Sequence, residues 1–466
     1  MLHFITLGDG LMNKFFALLV ASMLIIASLN AQDQTSQPVT ITLDQALSVA
    51  FENNVNVAQA ANGVDEAQAG VVAAYGLYAP KIIPYAYFKR NGSITPATVQ
   101  TFGNQFLPIP AQSQYLNQYS YGVSATYTLF DGFNRESVFG SARAGAAQAE
   151  QGFERTRQSI ANSVISAYLA VIQNEQQVKV LQDNLTNEKN LLIRITEQNR
   201  LGAVAIGDVY RQQSVEAQAE YNLISGQNTY DKSKADLLNL LALNVNQEYV
   251  IADPTIVTQI KQVETDPGVQ SMGSFDSLFK RALAARPDYM SAEEGVTLAD
   301  FSVREAWSTY YPSLNLAGSL TSTSPEWATA SQWGSNHATS VGLTLSWQMP
   351  EIFSAVQRIE VADIAQKNAV LQLQQKGRDI SVELKKALLD LEAARKQYVA
   401  SQKSQVAAEQ DRKTAEAKYN LGSGTLLDLQ VADAAYLTAQ LTTLANAYNY
   451  ISLKSNLNLV IGEKKY

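Results

Sequence analysis

Apolar and polar positions alternate most sharply in two short stretches. In "YSYGVSATYTLFDG", Tyr119, Tyr121, Val123, Ala125, Tyr127 and Leu129 are apolar or aromatic, while Ser120, Gly122, Ser124, Thr126 and Thr128 are small or polar. "SVGLTLSWQ" repeats the pattern, setting Val341, Leu343, Leu345 and Trp347 against Gly342, Thr344, Ser346 and Gln348. A period of two predicts strands with one apolar face and one wet face. Each has a partner upstream. "YYPSLNLAGSLTS" from Tyr310 alternates through Leu314, Leu316 and Leu320, whereas "KIIPYAYFKR" from Lys81 alternates less cleanly around Pro84. The polar stretches Asn91–Gln118 and Ser322–Thr339 are expected to be loops joining the paired strands.

Elsewhere the period lengthens. Ile160, Val164, Ala167, Val171, Val178, Leu181, Leu185, Leu192 and Ile195 fall on a heptad stripe broken by Asn174 and Glu188. Looser stripes run through Ile380, Leu384, Ala387, Leu391, Ala394 and Tyr398, and through Leu437, Leu441, Leu444, Tyr448 and Ile451. A helix from about residue 145 to 199 would be roughly 80 Å long at 1.5 Å per residue, far beyond a globular helix. The alternatives are helices packed on more than one side of an elongated body and a solvated rod.

These elements occur twice in one order: short helix, strand, loop, strand, very long helix, turn, long helix. The turns show the duplication most plainly. "NRLGAVAIGDVYRQQ" from Asn199 and "YNLGSGTLLDLQVAD" from Tyr419 place Leu201, Gly202 and Asp208 at one constant offset from Leu421, Gly422 and Asp428. Gly202 and Gly422 suit the left-handed position just past a helix C-terminus, which makes each stretch a helical hairpin. The first repeat is expected over residues 32–245, opening on the Thr42/Gln45 capping-box spacing, and the second over 273–466, opening near Ser274. Residues 246–272, with Pro254 and Pro267 and no sustained period, read as a linker.

Strands of about 9 to 11 residues with an aromatic-rich face fit a membrane β-barrel; a soluble antiparallel sheet is the alternative. Four strands cannot close a barrel, since the smallest use about 8, and an open edge cannot be left in lipid. Membrane strands would therefore require several chains to share one barrel. The N-terminus points the same way. "MNKFFALLVASMLIIASLNAQ" from Met12 has a lysine, an apolar core from Phe15 to Leu29 and Ala31 before Gln32, the layout of a cleavable secretory signal over residues 1–31, with Met12 a candidate start.

Composition narrows the chemistry. The net charge is −8 with no basic block, which argues against nucleic acid as a partner. The chain has no cysteine, hence neither disulfide nor lipidated N-terminal cysteine, and its two histidines are His3 and His337. No thiol nucleophile, zinc cluster or Walker-type glycine loop is present in the sequence, so neither enzymatic activity nor a cofactor or metal site is expected.

Several stretches, in this order and doubled, resemble the TolC-like outer membrane efflux proteins: "LFDGF" (Leu129–Phe133), "ALAARPDYMSAE" (Ala282–Glu293), "YYPSLNL" (Tyr310–Leu316), "VGLTLSW" (Val341–Trp347) and the two Leu-Gly turns. The resemblance covers nearly the whole mature chain. It implies an α+β membrane protein in the outer membrane, with four strands per chain, a 12-stranded barrel in a homotrimer, and long helices forming a tunnel through the periplasm. It further implies a duct for efflux or type I secretion, reached through a periplasmic adaptor from an inner-membrane pump of RND, ABC or MFS type. A barrel-anchored coiled-coil structural protein without conduction is the second reading. On the barrel, Tyr127, Leu343 and Leu345 are expected to meet outer-membrane lipid, and Thr126 and Thr344 water.

The resemblance places the hairpins at the periplasmic tip, where aspartates line a closed aperture. Asp208, Asp428 and Tyr419 are the positions here. Asp428 also sits three residues after Thr425, the spacing of a helix-capping pair, which does not exclude a place on the pore. Asp208 has Ala205 at that position, and Tyr419, whose counterpart is Asn199, is open to a plain packing role. The sequence departs from the family in three places. Gly424 stands where an arginine ties neighbouring hairpins, Val431 where a second aspartate lies, and "MPEIF" (Met349–Phe353) where "LFDGF" would recur. Asp433 does not substitute for Val431, because five residues turn a helix by about 500°, roughly 140° away from Asp428. A leakier resting state is expected.

Overall fold

The computed structural model describes residues 39–253, 272–327, 337–347 and 352–463, with isolated positions between 254 and 271. The secretory signal expected over residues 1–31 and most of "MPEIF" lie outside the described residues. In chain order the elements are β1 (Val39–Ile41), α1 (Leu43–Asn53), α2 (Val55–Gly76), β2 (Lys81–Thr95), β3 (Thr98–Phe102), β4 (Gln105–Ile109), β5 (Gln112–Phe130), α3 (Asn134–Arg200), α4 (Ile206–Leu240), β6 (Tyr249–Ile251), α5 (Phe275–Ala285), α6 (Pro287–Ser308), β7 (Ser313–Ser324), β8 (His337–Ser346), α7 (Ile352–Asn420) and α8 (Leu426–Ile461). The order doubles as expected, except that each short helix is a pair, one of 11 and one of 22 residues. The break within each pair has a local cause: Asn54 caps α2 through its side chain, and Pro287 opens α6.

Four strands form one antiparallel sheet in the order β2-β5-β7-β8, leaving β2 and β8 as open edges. Tyr127, Leu316 and Leu343 are cross-strand partners on one face; Thr128, Asn315 and Thr344 are partners on the other. The expected loop at 91–118 is corrected. β2 and β5 stay paired out to Thr95 and Gln112, and β3 and β4 continue as a hairpin, Thr98 opposite Ile109. Backbone pairing holds this ribbon together. Its apolar side chains fall on both faces, as the neighbours Phe106 and Leu107 and the neighbours Tyr115 and Leu116 show, so no period of two marks it.

The sheet turns into α3 through "LFDGF". Gly132 and Phe133 both take positive φ, 69° and 68°, and Arg135 closes the turn on Asp131 at 3.0 Å. From there α3 runs 67 residues and α7 runs 69, each about 100 Å at 1.5 Å per residue. Helices α3 and α4 form one long hairpin and α7 and α8 the other; α8 also packs on α3. The stripe on α3 is buried at Ile160, Val164, Val171, Leu181, Leu185 and Ile195, with Leu191 taking the buried place expected of Leu192.

Midway along the rod two cores meet. One joins β1, β6, α1, α3 and α4 with Tyr448 of α8; the other joins α5, α7 and α8. The segment expected to be a linker contributes to both. β6 pairs in parallel with β1, and Ile256 and Val263 are buried. Arg286, 2% exposed, locks the second core: its guanidinium forks onto Asp288 at 2.9 and 2.8 Å and reaches Glu383 at 2.7 Å and the Val460 carbonyl at 3.2 Å. Burial alone would raise the Asp288 pKa, but the hydrogen bonds and charge of Arg286 hold it below the ordinary aspartate value.

Candidate functional site at the hairpin tips

Both turns at the free end of the rod have one geometry. The Gly202 N–H donates to the Asn199 carbonyl at 2.9 Å and the Ala203 N–H to that of Gln198 at 2.8 Å; the Gly422 and Ser423 N–H groups reach Tyr419 and Lys418 at 3.0 and 2.9 Å. This double closure is the Schellman arrangement, which requires a left-handed residue, and Gly202 and Gly422 supply φ of 75° and 72°. Helices α4 and α8 then start from Ala205 and Thr425 in extended conformation.

The two starts differ chemically. Asp428 completes a capping box: its Oδ2 accepts from the Thr425 N–H at 3.1 Å and hydroxyl at 2.7 Å, and its own N–H donates to Thr425 Oγ1 at 3.2 Å. The Thr425 hydrogen bonds hold the Asp428 carboxyl below the ordinary aspartate pKa, so it is ionised at neutral pH while fully exposed. Asp208 has no side-chain cap before it and pairs with Arg211 at 3.5 Å. Tyr419 is half-buried against the small core of Leu191, Ile195, Val209, Leu426 and Leu429, and its hydroxyl donates to Gln198 Oε1 at 3.1 Å. Burial raises its phenol pKa. Within one chain Tyr419 therefore joins the two hairpins, while Asp428 faces solvent.

Gly424 sits tight: a Cβ there would lie 3.0 Å from the Lys418 Cβ and 3.3 Å from the Lys418 carbonyl carbon. The bare turn is thus a close approach to the end of α7. Asp433 is turned from Asp428 and pairs with Arg412 at 3.0 Å. Sequence reasoning missed the ties that do cross between hairpins: Arg194 to Asn420 Oδ1 at 3.0 Å, and Gln430 Nε2 to Gln212 Oε1 at 2.8 Å, where Gln212 in turn holds the buried Glu188. The signal was present in Glu188, the charged residue that interrupts the α3 stripe.

The sequence profile of the outer membrane efflux protein family matches residues 46–243 and 278–463, one block in each repeat. The chain belongs to that family. Among relatives, the pyoverdine export outer membrane protein OpmQ of Pseudomonas aeruginosa is 22% identical over 280 residues, which cover 60% of this chain and 56% of OpmQ. The chain thus spans little more than half the length of that curated relative. Among solved structures, the outer-membrane channel OprN superposes with a TM-score of 0.73 at 18% identity, covering 91% of this chain and 90% of OprN. The Campylobacter jejuni CmeC outer membrane channel gives 0.72 at 17%, covering 93% and 90%. The fold is the TolC-like one, and this family member is an outer-membrane protein whose helices extend into the periplasm.

Proposed function

We propose that three copies of this chain form an export duct, a shared 12-stranded barrel continued by a helical tunnel, which receives cargo from an inner-membrane pump through a periplasmic adaptor. The observation that carries this is the four-stranded sheet with both edges open, set on hairpins about 100 Å long: lipid does not tolerate open edges, and neighbouring copies are the partners able to close them. The protein extracted in mild detergent should sediment with the mass of three chains; the mass of one chain would overturn the shared barrel. Single-channel current in planar bilayers separates the duct from a non-conducting stalk.

At the tip, Asp428 of three chains brought around one axis would form an acidic ring, with Asp208 nearby, drawing cations to the mouth. Asn at 428 can still cap α8, which isolates the charge. Asp428→Asn and Asp208→Asn are each expected to lower cation selectivity and divalent-ion block modestly, and together to lower them further, in conductance titrations from the periplasmic side. Unchanged selectivity in the double variant would leave both aspartates as helix-end residues. With Gly424 and Val431 in place of an arginine tie and a second acidic ring, the resting duct is expected to leak more than relatives that keep both.

A further inference from the structure

About three turns above the tips, four helices enclose charge that neither the tunnel nor the turns account for. Glu188 of α3 is 5% exposed and Gln212 of α4 is 0% exposed. Gln212 Nε2 donates to Glu188 Oε2 at 2.7 Å and to the Glu188 carbonyl at 3.3 Å, and Gln430 Nε2 of α8 donates to Gln212 Oε1 at 2.8 Å. Beside them Arg412 of α7 pairs with Asp433 of α8 at 3.0 Å and covers the Tyr436 ring at 5.3 Å. The other charges bearing on Asp433 are Glu416 of α7 and Arg194 of α3; α4 offers the neutral Gln212. Three carboxylates, Glu188, Glu416 and Asp433, therefore stand against two guanidiniums, Arg412 and Arg194, and Arg412 bears on both Glu188 and Asp433.

We propose that Glu188 and Asp433 are a proton-operated latch between the two hairpins of one chain: proton uptake holds α3 and α4 against α7 and α8, and proton loss lets them part.

With its carboxylates ionised, this partly buried site carries one negative charge more than Arg412 and Arg194 offset, in surroundings that screen it less well than water. One proton removes the excess and supplies a donor to the network. Burial first, then the Glu188 and Glu416 charges, push the Asp433 pKa up to about 6 against the pull of Arg412 and Arg194; burial likewise raises Glu188 against its bonds to Gln212 and Asn184. The sign follows. A carboxylate that binds its proton more tightly when packed favours the packed form fully below its hydrated value of 3.8 and loses that preference as pH rises through about 6. At tenfold per unit, the packing equilibrium changes by about a hundred-fold across this window. Acid therefore tightens the tips, and neutral pH leaves them poised to separate.

The test is hydrogen–deuterium exchange of the intact detergent-solubilised protein from about pH 5 to 7.5, corrected for intrinsic rates, in peptides covering residues 184–195 and 426–436. In the wild type, protection of both peptides should fall about tenfold as pH rises from 5, and level off above about 6. Asp433→Asn, which imitates the protonated group, should keep high protection at every pH, and Glu188→Gln should flatten part of the curve. Asp428→Asn, altered in the exposed cap, should titrate like the wild type. Flat wild-type protection, or an Asp433→Asn curve that still falls, overturns the latch, and the wild-type curve decides alone if a variant fails to assemble. The exchange is read within one chain and does not depend on conduction.

Discussion

Replacing Arg286 with alanine is expected to destabilise the helical part by about 3–5 kcal/mol, the cost of removing one partner from a buried ion pair and leaving the other unpaired. The residue carries this much because it serves three elements at once: it sits between α5 and α6, forks onto Asp288, and ties Glu383 of α7 and the end of α8 to that corner. Arg286→Lys keeps the charge but cannot fork, so most of the loss should remain. Because Asp288 is held below its ordinary pKa of 3.8, its contribution is present above that value and lost as pH falls through the lowered one. Urea unfolding of the helices at neutral pH, followed by circular dichroism, measures the change. A shift under about 0.5 kcal/mol would show that the corner stands on apolar packing alone.

A charge at Leu343 should cost roughly 2–4 kcal/mol if that position lies near mid-bilayer, and little at Thr344 one residue on. Leu343 is 62% exposed on the edge strand and continues the row of Tyr127 and Leu316; Leu345 pairs with Leu314 one repeat along the same face. Thr344 shares the opposite face with Asn315 and Thr128. Leu343→Arg and Thr344→Arg, folded into vesicles and titrated with urea, give the comparison. Equal tolerance at both would mean that the apolar face does not meet lipid.

What the sequence conveyed and what it withheld divide along physical lines. Strands β5, β7 and β8 were legible because one wet and one apolar face impose a period of two, and the α3 stripe because one buried seam imposes a heptad. The outer ribbon of β2–β5 has the sequence of a loop because residues such as Asn91 to Thr95 are held by backbone hydrogen bonds that leave no mark on side-chain pattern. β6 is indistinguishable from linker in the sequence for a related reason: three residues are too short for any period, and only pairing with β1 makes them a strand. At the tips, Gly202 and Gly422 were readable from one residue each, since a left-handed backbone selects glycine. The Arg194–Asn420 and Gln212–Gln430 ties join residues 226 and 218 positions apart, and no local pattern announces a partner at that distance.

The parallel pairing of β1 with β6 sets an order of assembly. The Leu43 N–H reaches the Asp253 carboxylate at 3.3 Å, the Ala252 N–H the Ile41 carbonyl at 3.4 Å, and the Tyr168 hydroxyl the same carbonyl at 2.9 Å. These contacts clasp the two ends of the first repeat around its own hairpin. Every residue the clasp needs precedes α5 in the chain, so the first repeat can pair its own ends before the second arrives, with Tyr448 of α8 completing the core afterwards. The slow, long-range step of bringing distant segments together is thereby split into two smaller loop closures, each within one repeat. An early-arriving half with its apolar seam already folded in leaves less sticky surface to be shielded during transit, which is a kinetic return on an ancient duplication.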